Sequence, residues 1–447
     1  MILTNGFSKL SKIEKIDFLL KDYLSMGGEG LERSRELLQS FWHDDESAQR
    51  IFDEFSENTI TNFYAPYGVL PGLVINGKSY CVPMVIEESS VVAAASKAAK
   101  FWSSRGGFHT EVREMTKIGQ VHLIFNGEFE RFKAFFIRHQ QELLLEIAPL
   151  LANMEKRGGG LTKLELLDKS DIEPGLYQVF ASFDTRDAMG ANFINSVLEA
   201  IGKFLVARAL SDSELKDSER EIEIVMAILS NHTPDCVVRA WVSAPVSELE
   251  DAGLGMSAQK FADKFVRAVK IARNDPYRAT THNKGIYNGI DAVVLATGND
   301  FRATAAAGHT YAARDGVYRS LSRAWIDENN TFFFELEVPL ALGTVGGLTA
   351  LHPMAKFSLD LLGRPGASEL MEIVAATGLA QNFGAVRSLV TSGIQKGHMK
   401  MHLMNILNHF EATQDERFQV ASAFENEVVS FKGVRDFLSE ARGINLN

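Results

Sequence analysis

The sequence predicts an α+β protein that has a large mixed helical and β domain, a four-stranded module inserted into it, and a helical C-terminal flap. Three observations support this fold class. Strand and helix patterns alternate between residues 116 and 229, glycine-rich turns separate the elements that follow, and a helical pattern resumes after Gly397. The chain has 447 residues, of which 46% are apolar, and this is enough to bury the cores of two or three domains.

Residues 1–115 are predicted to form the first part of the large domain. Apolar residues in the first fifty positions are spaced for helices with one apolar face. The pair Asn76-Gly77 lies between two apolar runs and predicts a β-hairpin, because Asn-Gly accepts the positive φ of a tight turn. The Ala- and Val-rich stretch 88–100 predicts a buried helix.

Residues 116–232 are predicted to form the inserted module, with the ferredoxin-like (split βαβ) order of strand, helix, strand, strand, helix, strand. In that arrangement two helices cover one face of a four-stranded antiparallel sheet. The segments are strand 121–125, a helix through 132–151, strands 164–167 and 177–183, a helix through 193–205, and strand 222–229. Since no Gly-x-Gly-x-x-Gly follows a strand, a dinucleotide would have to bind in a non-Rossmann way.

Residues 233–395 are predicted to form the second part of the large domain, and residues 396–447 the flap. Strands are predicted at Ala292–Ala296 and Thr331–Leu336, and the run Asp275–Gly285 is predicted to be a loop. The Met- and Phe-rich helical pattern after Gly397 predicts an appendage that is hinged at that glycine.

Composition and charge disfavour several classes of partner. The 57 acidic and 46 basic side chains give a net charge of -11, so a nucleic-acid partner is not expected. No apolar run approaches the roughly 20 residues that cross a bilayer, so no membrane attachment is expected. The N-terminus lacks a signal-peptide pattern, and Cys81 and Cys236 are the two cysteines, so we expect a cytoplasmic protein without disulfides.

Two segments place ionisable side chains where chemistry needs them. Glu88, at the start of the helix predicted at 88–100, is either an N-terminal charge that favours the helix dipole or a proton donor whose pKa burial raises. The run Asp275–Gly285 is either a solvated loop or an anion-binding loop. In the second case Arg278 holds a carboxylate and Lys284 polarises a carbonyl oxygen.

Three further positions have alternative interpretations. Asp300 follows the strand predicted at 292–296, where an acid is either catalytic or a helix cap, and a loop–strand–loop path would bring it to Lys284. In Asp187–Asn192, the acid is a candidate N-cap, while Gly190 permits either close helix packing or the approach of a phosphate. His398 and His402 share a helical face but lack a third ligand, so we expect no metal and prefer His398 as an acid–base group.

Six strings together resemble the hydroxymethylglutaryl-coenzyme A reductase family, specifically its soluble bacterial and archaeal class (class II). In the family's order and at its intervals, they are Glu57–Ile60, Glu88–Ala93, Asp187–Asn192, Thr281–Ile286, Gly298–Asp300 and Gly397–Met399. The resemblance implies an enzyme that uses NAD(P)H to reduce hydroxymethylglutaryl-CoA twice, through a hemithioacetal and an aldehyde, to mevalonate and free CoA.

The resemblance also implies four catalytic residues. Lys284 would stabilise the oxygen on which negative charge develops, and Glu88 would supply a proton during aldehyde reduction. Asp300 would join Lys284 and Glu88 in one hydrogen-bonded set. His398 would protonate the leaving CoA thiolate beneath a flap that closes over the reactants.

Ligand contacts and assembly follow from the same resemblance. The residues implied to contact the hydroxymethylglutaryl group are Arg278, Asn288 and Ser90, and those implied to bind the nicotinamide cofactor are Asp187, Met189, Gly190 and Asn192. The implied assembly is a homodimer, or a multiple of one, with the active site at the subunit boundary. Leu151 stands where NAD-preferring relatives carry an acid, and Lys156 and Arg157 are close in sequence. We therefore favour NADPH over NADH, and mevalonate synthesis over breakdown.

Two other functions are weighed against this one. A reductase of another acyl thioester would need the same Lys, Asp and His residues but not Arg278. A ligand-binding protein that has lost the chemistry is disfavoured, because Glu88, Lys284, Asp300 and His398 are all present.

Overall fold

The computed structural model describes residues 6–24, 27–252, 255–391, 403–424, 427 and 429–446. Contacts between Cα atoms divide the chain into two compact units, Met1–Pro66 and Tyr67–Asn447. Helices and strands are both abundant, which confirms the predicted α+β class. The predicted domain boundaries at 115, 232 and 395 stay predictions.

The first unit is helical in the part that the structure describes. Its helices are α1 (Lys12–Tyr23), α2 (Gly28–Ser40) and α3 (Glu46–Asp53). Helix α1 begins in a capping box, in which the Ser11 hydroxyl accepts from the Glu14 backbone and the Glu14 carboxylate accepts from the Ser11 backbone. A salt bridge of 2.9 Å between Lys12 and Asp53 joins α1 to α3. The helical pattern predicted for the first fifty residues is confirmed.

The second unit alternates between strands and helices. Its first elements are β1 (Tyr67–Ile75), β2 (Lys78–Val85), α4 (Val91–Ser103), β3 (His109–Val112), β4 (Thr116–Ile124), α5 (Phe129–Glu155), β5 (Gly160–Asp168), β6 (Leu176–Asp184), α6 (Ala191–Ser211), β7 (Glu223–Ser230) and β8 (Val237–Pro245). Strands β1 and β2 form the predicted hairpin. The turn places Asn76 at φ 48° and Gly77 at φ 82°, as the Asn-Gly pair predicts.

The remaining elements complete the second unit. They are α7 (Ala258–Asn274), α8 (Pro276–Ala296), α9 (Phe301–Ala312), β9 (Ser322–Ile326), β10 (Thr331–Pro339), α10 (Leu348–Leu351), α11 (Pro353–Leu361), α12 (Ala367–Val390), α13 (403–409), α14 (Gln414–Ala423) and α15 (Phe431–Arg442). We refer to this unit without residues 116–230 and 403–446 as the large body. None of the helices in the described ranges is long and apolar enough to cross a membrane.

Strands β4 to β7 form an antiparallel sheet in the order β5-β6-β4-β7. Helices α5 and α6 pack against it and bury a core that includes Phe132, Val179 and Leu198. This is the strand order of a split βαβ module, so the predicted succession of elements between 116 and 229 is confirmed. The module was predictable because each helix has a sustained apolar face and each strand an apolar run bounded by turns.

A second antiparallel sheet, in the order β3-β8-β10-β9, lies in the large body. Helix α12 packs against its strands, and α7 packs against β9. Aromatic side chains fill the space between them: Phe265 contacts Phe332, Phe334 and Phe383 at ring-centroid distances of 5.0 to 5.3 Å. The core of this body is separate from that of the inserted module.

Two predictions about residues 275–296 are wrong, because the whole stretch is helix α8. The predicted loop 275–285 is its first half: Asp275 is the N-cap and accepts a hydrogen bond from Tyr277 N, and Pro276 occupies the first turn. Proline is compatible with that turn, since its missing N–H would have no partner there. The predicted strand 292–296 is the last turn of α8, and a short apolar run cannot distinguish a strand from a buried helix.

Helix α8 lies against α12 through a close approach of two glycines. A methyl group added to Gly289 would lie 2.8 Å from the Thr377 carbonyl oxygen and 3.2 Å from the Gly378 Cα. A methyl group added to Gly378 would lie 2.8 Å from a side-chain carbon of Ile290. The missing side chains therefore set the distance between the two helices and fix α8 against the core.

The C-terminal helices have an apolar cluster of their own. Leu407, Val420 and Leu438 are fully buried in it, one from each of α13, α14 and α15. The helical character predicted after Gly397 is confirmed from residue 403 onwards. The predicted hinge at Gly397 lies outside the described residues.

We expect Gly289→Ala to destabilise the protein by about 1–3 kcal/mol, because the added methyl group has no room between α8 and α12. Urea unfolding measures the change. Gly202→Ala, in α6, is the matched control, because its methyl group would meet Ile224 at an ordinary 3.5 Å. Alanine favours helix by up to about 1 kcal/mol, so the control should be neutral or stabilising. Equal stability of the two variants would contradict the proposed tight packing.

Candidate active site

The ammonium group of Lys284 donates a hydrogen bond to Glu88 Oε2. The same carboxylate oxygen accepts from Asn288 Nδ2 at 3.3 Å. Lys284 and Asn288 lie one turn apart on α8, whereas Glu88 lies in the turn between β2 and α4. The side chains of Lys284 and Glu88 are 58% and 35% exposed, so a ligand can reach the pair. The fold thus brings together three predicted site residues that are distant in sequence.

Ser90 has a strained backbone next to this contact. It is the N-cap of α4 with φ at 73°, and its hydroxyl makes no capping hydrogen bond. A non-glycine residue in the left-handed region costs about 1–3 kcal/mol, and such residues cluster at functional sites. The serine hydroxyl, predicted to contact the substrate, is therefore not committed to the helix that it begins.

Two buried side chains fix the rotation of α8 about its axis. His282 Nε2 lies 2.6 Å from Ser322 Oγ, which in turn donates to Asn382 Oδ1 at 2.9 Å. Asn283 donates to the Arg319 carbonyl oxygen at 2.9 Å and accepts from Leu321 N at 3.0 Å. Burial, with a smaller contribution from nearby charge, lowers the pKa of His282 to about 4, which keeps the imidazole neutral. These contacts direct Lys284, the next residue, out of the core.

Arg278 lies on a different side of α8 from Lys284. The two are six positions apart, which corresponds to about 120° around a helix of 3.6 residues per turn. Its charge acts on His282, one turn further along, and helps to lower the pKa of that imidazole. Among the described residues Arg278 has no hydrogen bond to Lys284 or Glu88, so its predicted role as the carboxylate clamp stays a prediction.

Asp300 is the N-cap of α9. A helix cap is one of the two roles that the sequence predicts for it. Its carboxylate accepts from Arg302 N at 3.0 Å and Ala303 N at 3.1 Å, and from the Arg302 guanidinium at 2.9 Å. Burial opposes ionisation, but these hydrogen bonds hold the pKa of Asp300 below its ordinary value. Its hydrogen bonds within the described ranges do not include Lys284, so the expected link between them stays a prediction.

Asp291 is an ionisable residue that sequence reasoning missed. It lies seven residues after Lys284 and three after Asn288, on the same side of α8. Its Oδ1 atom is buried and has no hydrogen-bond partner among the described residues. Burial raises the pKa of Asp291 to about 6. The polar spacing of 284, 288 and 291 would have revealed it, had the segment been predicted as a helix.

The predicted cofactor segment Asp187–Asn192 runs from the turn after β6 into the first turn of α6. The expected N-cap is wrong: Gly190, at φ 88°, is the N-cap of α6. Asp187 instead accepts from Ala367 N at 2.7 Å and so caps α12, in the large body. Close contact continues at Gly343, where an added methyl group would lie 2.3 Å from Met189 N. The segment thus joins the module to the large body, while Asn192 is exposed.

A cavity that is partly open to solvent lies beside this segment. Its wall is mostly apolar, with polar side chains on one side. The lining residues are Lys117, Ile118, Met189, Ala191, Ile194, Leu229, Ser230, Asn231, Thr233, Ala303 and Ala341. Thr233 is 3% exposed, and its hydroxyl has no hydrogen-bond partner among the described residues. A buried hydroxyl without a partner is costly, and its position in the wall favours a polar ligand group there.

The position used to favour NADPH is buried. Leu151 is 5% exposed in the core of the module, so its side chain does not face a ligand. Lys156 and Arg157 follow at the exposed end of α5. Arg186 joins them, because its guanidinium donates to the Gly158 carbonyl oxygen at 2.8 Å. Three cations therefore lie close to the start of the cofactor segment.

The remaining predictions for the site concern two C-terminal histidines and metal binding. His398 and His402 lie outside the described residues. Within the ranges that are described, no group of three or more His, Cys, Asp and Glu side chains is placed to hold a metal ion.

Comparisons with known proteins agree on one family. The family model described as hydroxymethylglutaryl-coenzyme A reductase matches residues 28–403. The chain is 36% identical to the 3-hydroxy-3-methylglutaryl-coenzyme A reductase of Archaeoglobus fulgidus, over 92% of this chain and 88% of that protein. It is 33% identical to a probable reductase of the same name from Borreliella burgdorferi, over 80% and 79% of the two chains.

A solved structure gives the same result. The class II 3-hydroxy-3-methylglutaryl-CoA reductase from Streptococcus pneumoniae, bound to NADPH in open conformations, superposes with a TM-score of 0.70. Its sequence is 37% identical, and the match covers 87% of this chain and 99% of that one.

We expect Asp291→Asn to stabilise the protein more at about pH 8 than at about pH 5. The folded-state pKa of Asp291 is raised, so its contribution to stability is complete below the unfolded pKa of 3.8 and is lost as pH rises through about 6. Asparagine removes that loss. Urea unfolding at both pH values tests this, with exposed Asp263→Asn in α7 as the control. An Asp291→Asn effect that is the same at both pH values would contradict the raised pKa.

Proposed function

Because the chain belongs to the hydroxymethylglutaryl-coenzyme A reductase family, we propose that Lys284 and Glu88 form the centre at which it reduces its thioester substrate. The protein is an oxidoreductase of mevalonate metabolism, and its reaction interconverts hydroxymethylglutaryl-CoA with mevalonate and free CoA through two hydride transfers. The observation that carries the proposed site is the direct contact of the Lys284 ammonium with the Glu88 carboxylate. It joins two of the six strings by which the family is recognised.

Lys284 stabilises negative charge on the substrate oxygen. Hydride addition to the thioester carbon converts the carbonyl oxygen into an oxyanion, and a fixed ammonium lowers the energy of that state more than that of the neutral thioester. The nicotinamide cofactor supplies the hydride when it is bound. Since His282 and Asn283 hold α8 in place, the ammonium needs little reorganisation during the reaction.

Glu88 supplies the proton that completes the second reduction. When the hemithioacetal collapses, the carbon–sulfur bond breaks and CoA leaves as a thiolate, to which we assign His398 as the proton donor on the family resemblance. Addition of hydride to the resulting aldehyde gives an alkoxide, and the carboxyl of Glu88 donates a proton to it. The Asn288 amide donates to the same carboxylate oxygen and so orients it.

We propose that the nicotinamide ring binds at the cavity beside Asp187–Asn192. Ile118, Met189 and Ala303 provide apolar wall, and the Thr233 hydroxyl is a buried group without a partner that suits the carboxamide. Ala303 lies three residues after Asp300, so the cavity reaches the helix that Asp300 begins. Residues 187–192 would then bind the cofactor as their resemblance implies.

NADPH is the proposed cofactor. Lys156, Arg157 and Arg186 lie together at the end of α5, and a 2′-phosphate is the group that such a cluster recognises. We also propose a homodimer with the active site at its boundary. Within one chain and among the described residues, neither Arg278 nor Asp300 is hydrogen-bonded to Lys284 or Glu88, which supports a site that a second copy completes.

Replacing the catalytic ammonium tests the proposed centre. Lys284→Ala should lower kcat by about 10²–10³-fold for hydroxymethylglutaryl-CoA and for free mevaldehyde alike, because both steps develop charge on oxygen. Cofactor oxidation measured by absorbance gives the rates, and cofactor binding shows that the variant is folded. Exposed Lys270→Ala, in α7, is the control and should keep full activity. Retention of more than about a tenth of kcat by Lys284→Ala would rule out the assigned role.

Neutralising the basic cluster tests the cofactor preference. The double variant Lys156→Gln/Arg157→Gln should raise the KM for NADPH by about tenfold, because two cations near the phosphate are lost, and leave the KM for NADH unchanged. Lys163→Gln, an exposed residue of β5, is the control. A wild-type enzyme that strongly prefers NADH, or a variant in which both KM values rise equally, would refute the proposal.

A further inference from the structure

Lys117 is a buried cation in the wall of the cavity. It lies near the start of β4 and is 4% exposed. Its ammonium donates to Thr185 Oγ1 at 2.5 Å and to the Ala188 carbonyl oxygen at 2.8 Å. Ala188 immediately precedes Met189, which also lines the cavity. The positive charge is therefore fixed directly behind the cofactor segment.

No carboxylate neutralises this ammonium by direct contact among the described residues. The two carboxylates whose charge acts on Lys117 are engaged elsewhere: Asp184 accepts from Arg186 N at 2.8 Å, and Asp187 caps α12. Burial lowers the pKa of Lys117, while Cys236, Asp184 and Asp187 act in the opposite direction. Lys117 is the only charged side chain among the eleven described residues that line the cavity.

The electrostatic interaction of the cavity wall with a nicotinamide ring therefore differs between the two redox states of the ring. The reduced ring is uncharged, whereas the oxidised ring carries a positive charge. In a partly buried, mostly apolar space, repulsion between two cations is screened much less than in water. The rest of the cofactor is identical in the two states, so differential binding falls on the ring.

We propose that Lys117 makes the cavity select the reduced nicotinamide cofactor and expel the oxidised one. The inference rests on the proposed function, which places the nicotinamide ring in this cavity. Selection of this kind would also help the enzyme to exchange its cofactor during the reaction. Two reduced cofactors are consumed for each product, so the first oxidised cofactor has to leave before the second reduced one binds. A fixed positive charge speeds that exchange.

Lys117 can be replaced without removing the support of the cofactor segment. Thr185 Oγ1 donates to the Ala188 carbonyl oxygen at 2.6 Å, and this bond does not involve the lysine. Lys117→Met keeps the length and apolar volume of the side chain and removes the charge. Lys117→Gln removes the charge and keeps a hydrogen-bond donor, so the two variants separate loss of charge from loss of the hydrogen bond.

The test measures Kd for NADPH and for NADP⁺, by fluorescence and by calorimetry, in wild type and in both variants. The wild type should bind NADPH more tightly. In Lys117→Met and in Lys117→Gln, the ratio of the NADP⁺ Kd to the NADPH Kd should fall about tenfold, chiefly because NADP⁺ binds more tightly. Lys163→Met, an exposed lysine in the same module, should leave the ratio unchanged.

Two results would overturn the inference, and they are distinguishable. If wild type binds both forms but the ratio is the same in the two Lys117 variants, charge selection by Lys117 is wrong and the proposed function stands. If wild type binds neither form, the proposed nicotinamide site is wrong and the inference falls with it. Unfolding midpoints of the variants identify one that is not folded, in which case the other decides.

Discussion

The contact between Lys284 and Glu88 is the interaction on which the proposed chemistry depends. An exposed ion pair contributes little to stability, so its importance lies in geometry. The two residues are 196 positions apart in sequence, and they meet only if the turn after β2 and helix α8 are both held in place. The hairpin β1–β2 and the packing of α8 against β2 and α12 provide that constraint.

Helix α8 combines two roles that place opposite demands on its residues. One side packs into the core through Gly289, Ile290 and Val293. The other side carries Lys284 and Asn288, which have to reach a substrate. His282 and Asn283 separate these roles, because they are polar but engaged with residues 319–322 and with α12. A helix held in this way presents its ammonium in one orientation, which is what electrostatic stabilisation of an oxyanion requires.

The inserted module was predictable because its signals are local. Each of its helices and strands carries its own apolar periodicity, and Gly158–Gly160 ends α5 where the sequence indicates. Helix α8 was not predictable in the same way, since Asp275-Pro276 is typical of a turn as well as of a helix start. The burial of both Lys117 and Asp291 depends on neighbours that are distant in sequence, and no local pattern reports it.

Some contacts of the candidate site could be predicted from the sequence and others could not. The resemblance named Glu88, Lys284 and Asn288 together, and the fold brings them together. It also named Asp300, whose carboxylate caps its own helix in one chain, and His398, which lies outside the described residues. The role of Asp187 could not be deduced from its own helix, because the backbone N–H that it accepts from belongs to Ala367, 180 residues away.

A double-mutant cycle on Lys284 and Glu88 tests the central claim most directly. If the ammonium and the carboxyl act as one unit, Lys284→Ala/Glu88→Gln should have nearly the same kcat as Lys284→Ala alone, because the second change removes nothing that still works. Losses that multiply, so that the double variant is slower by the product of the two single effects, would show that the residues act independently. That result would contradict a shared centre.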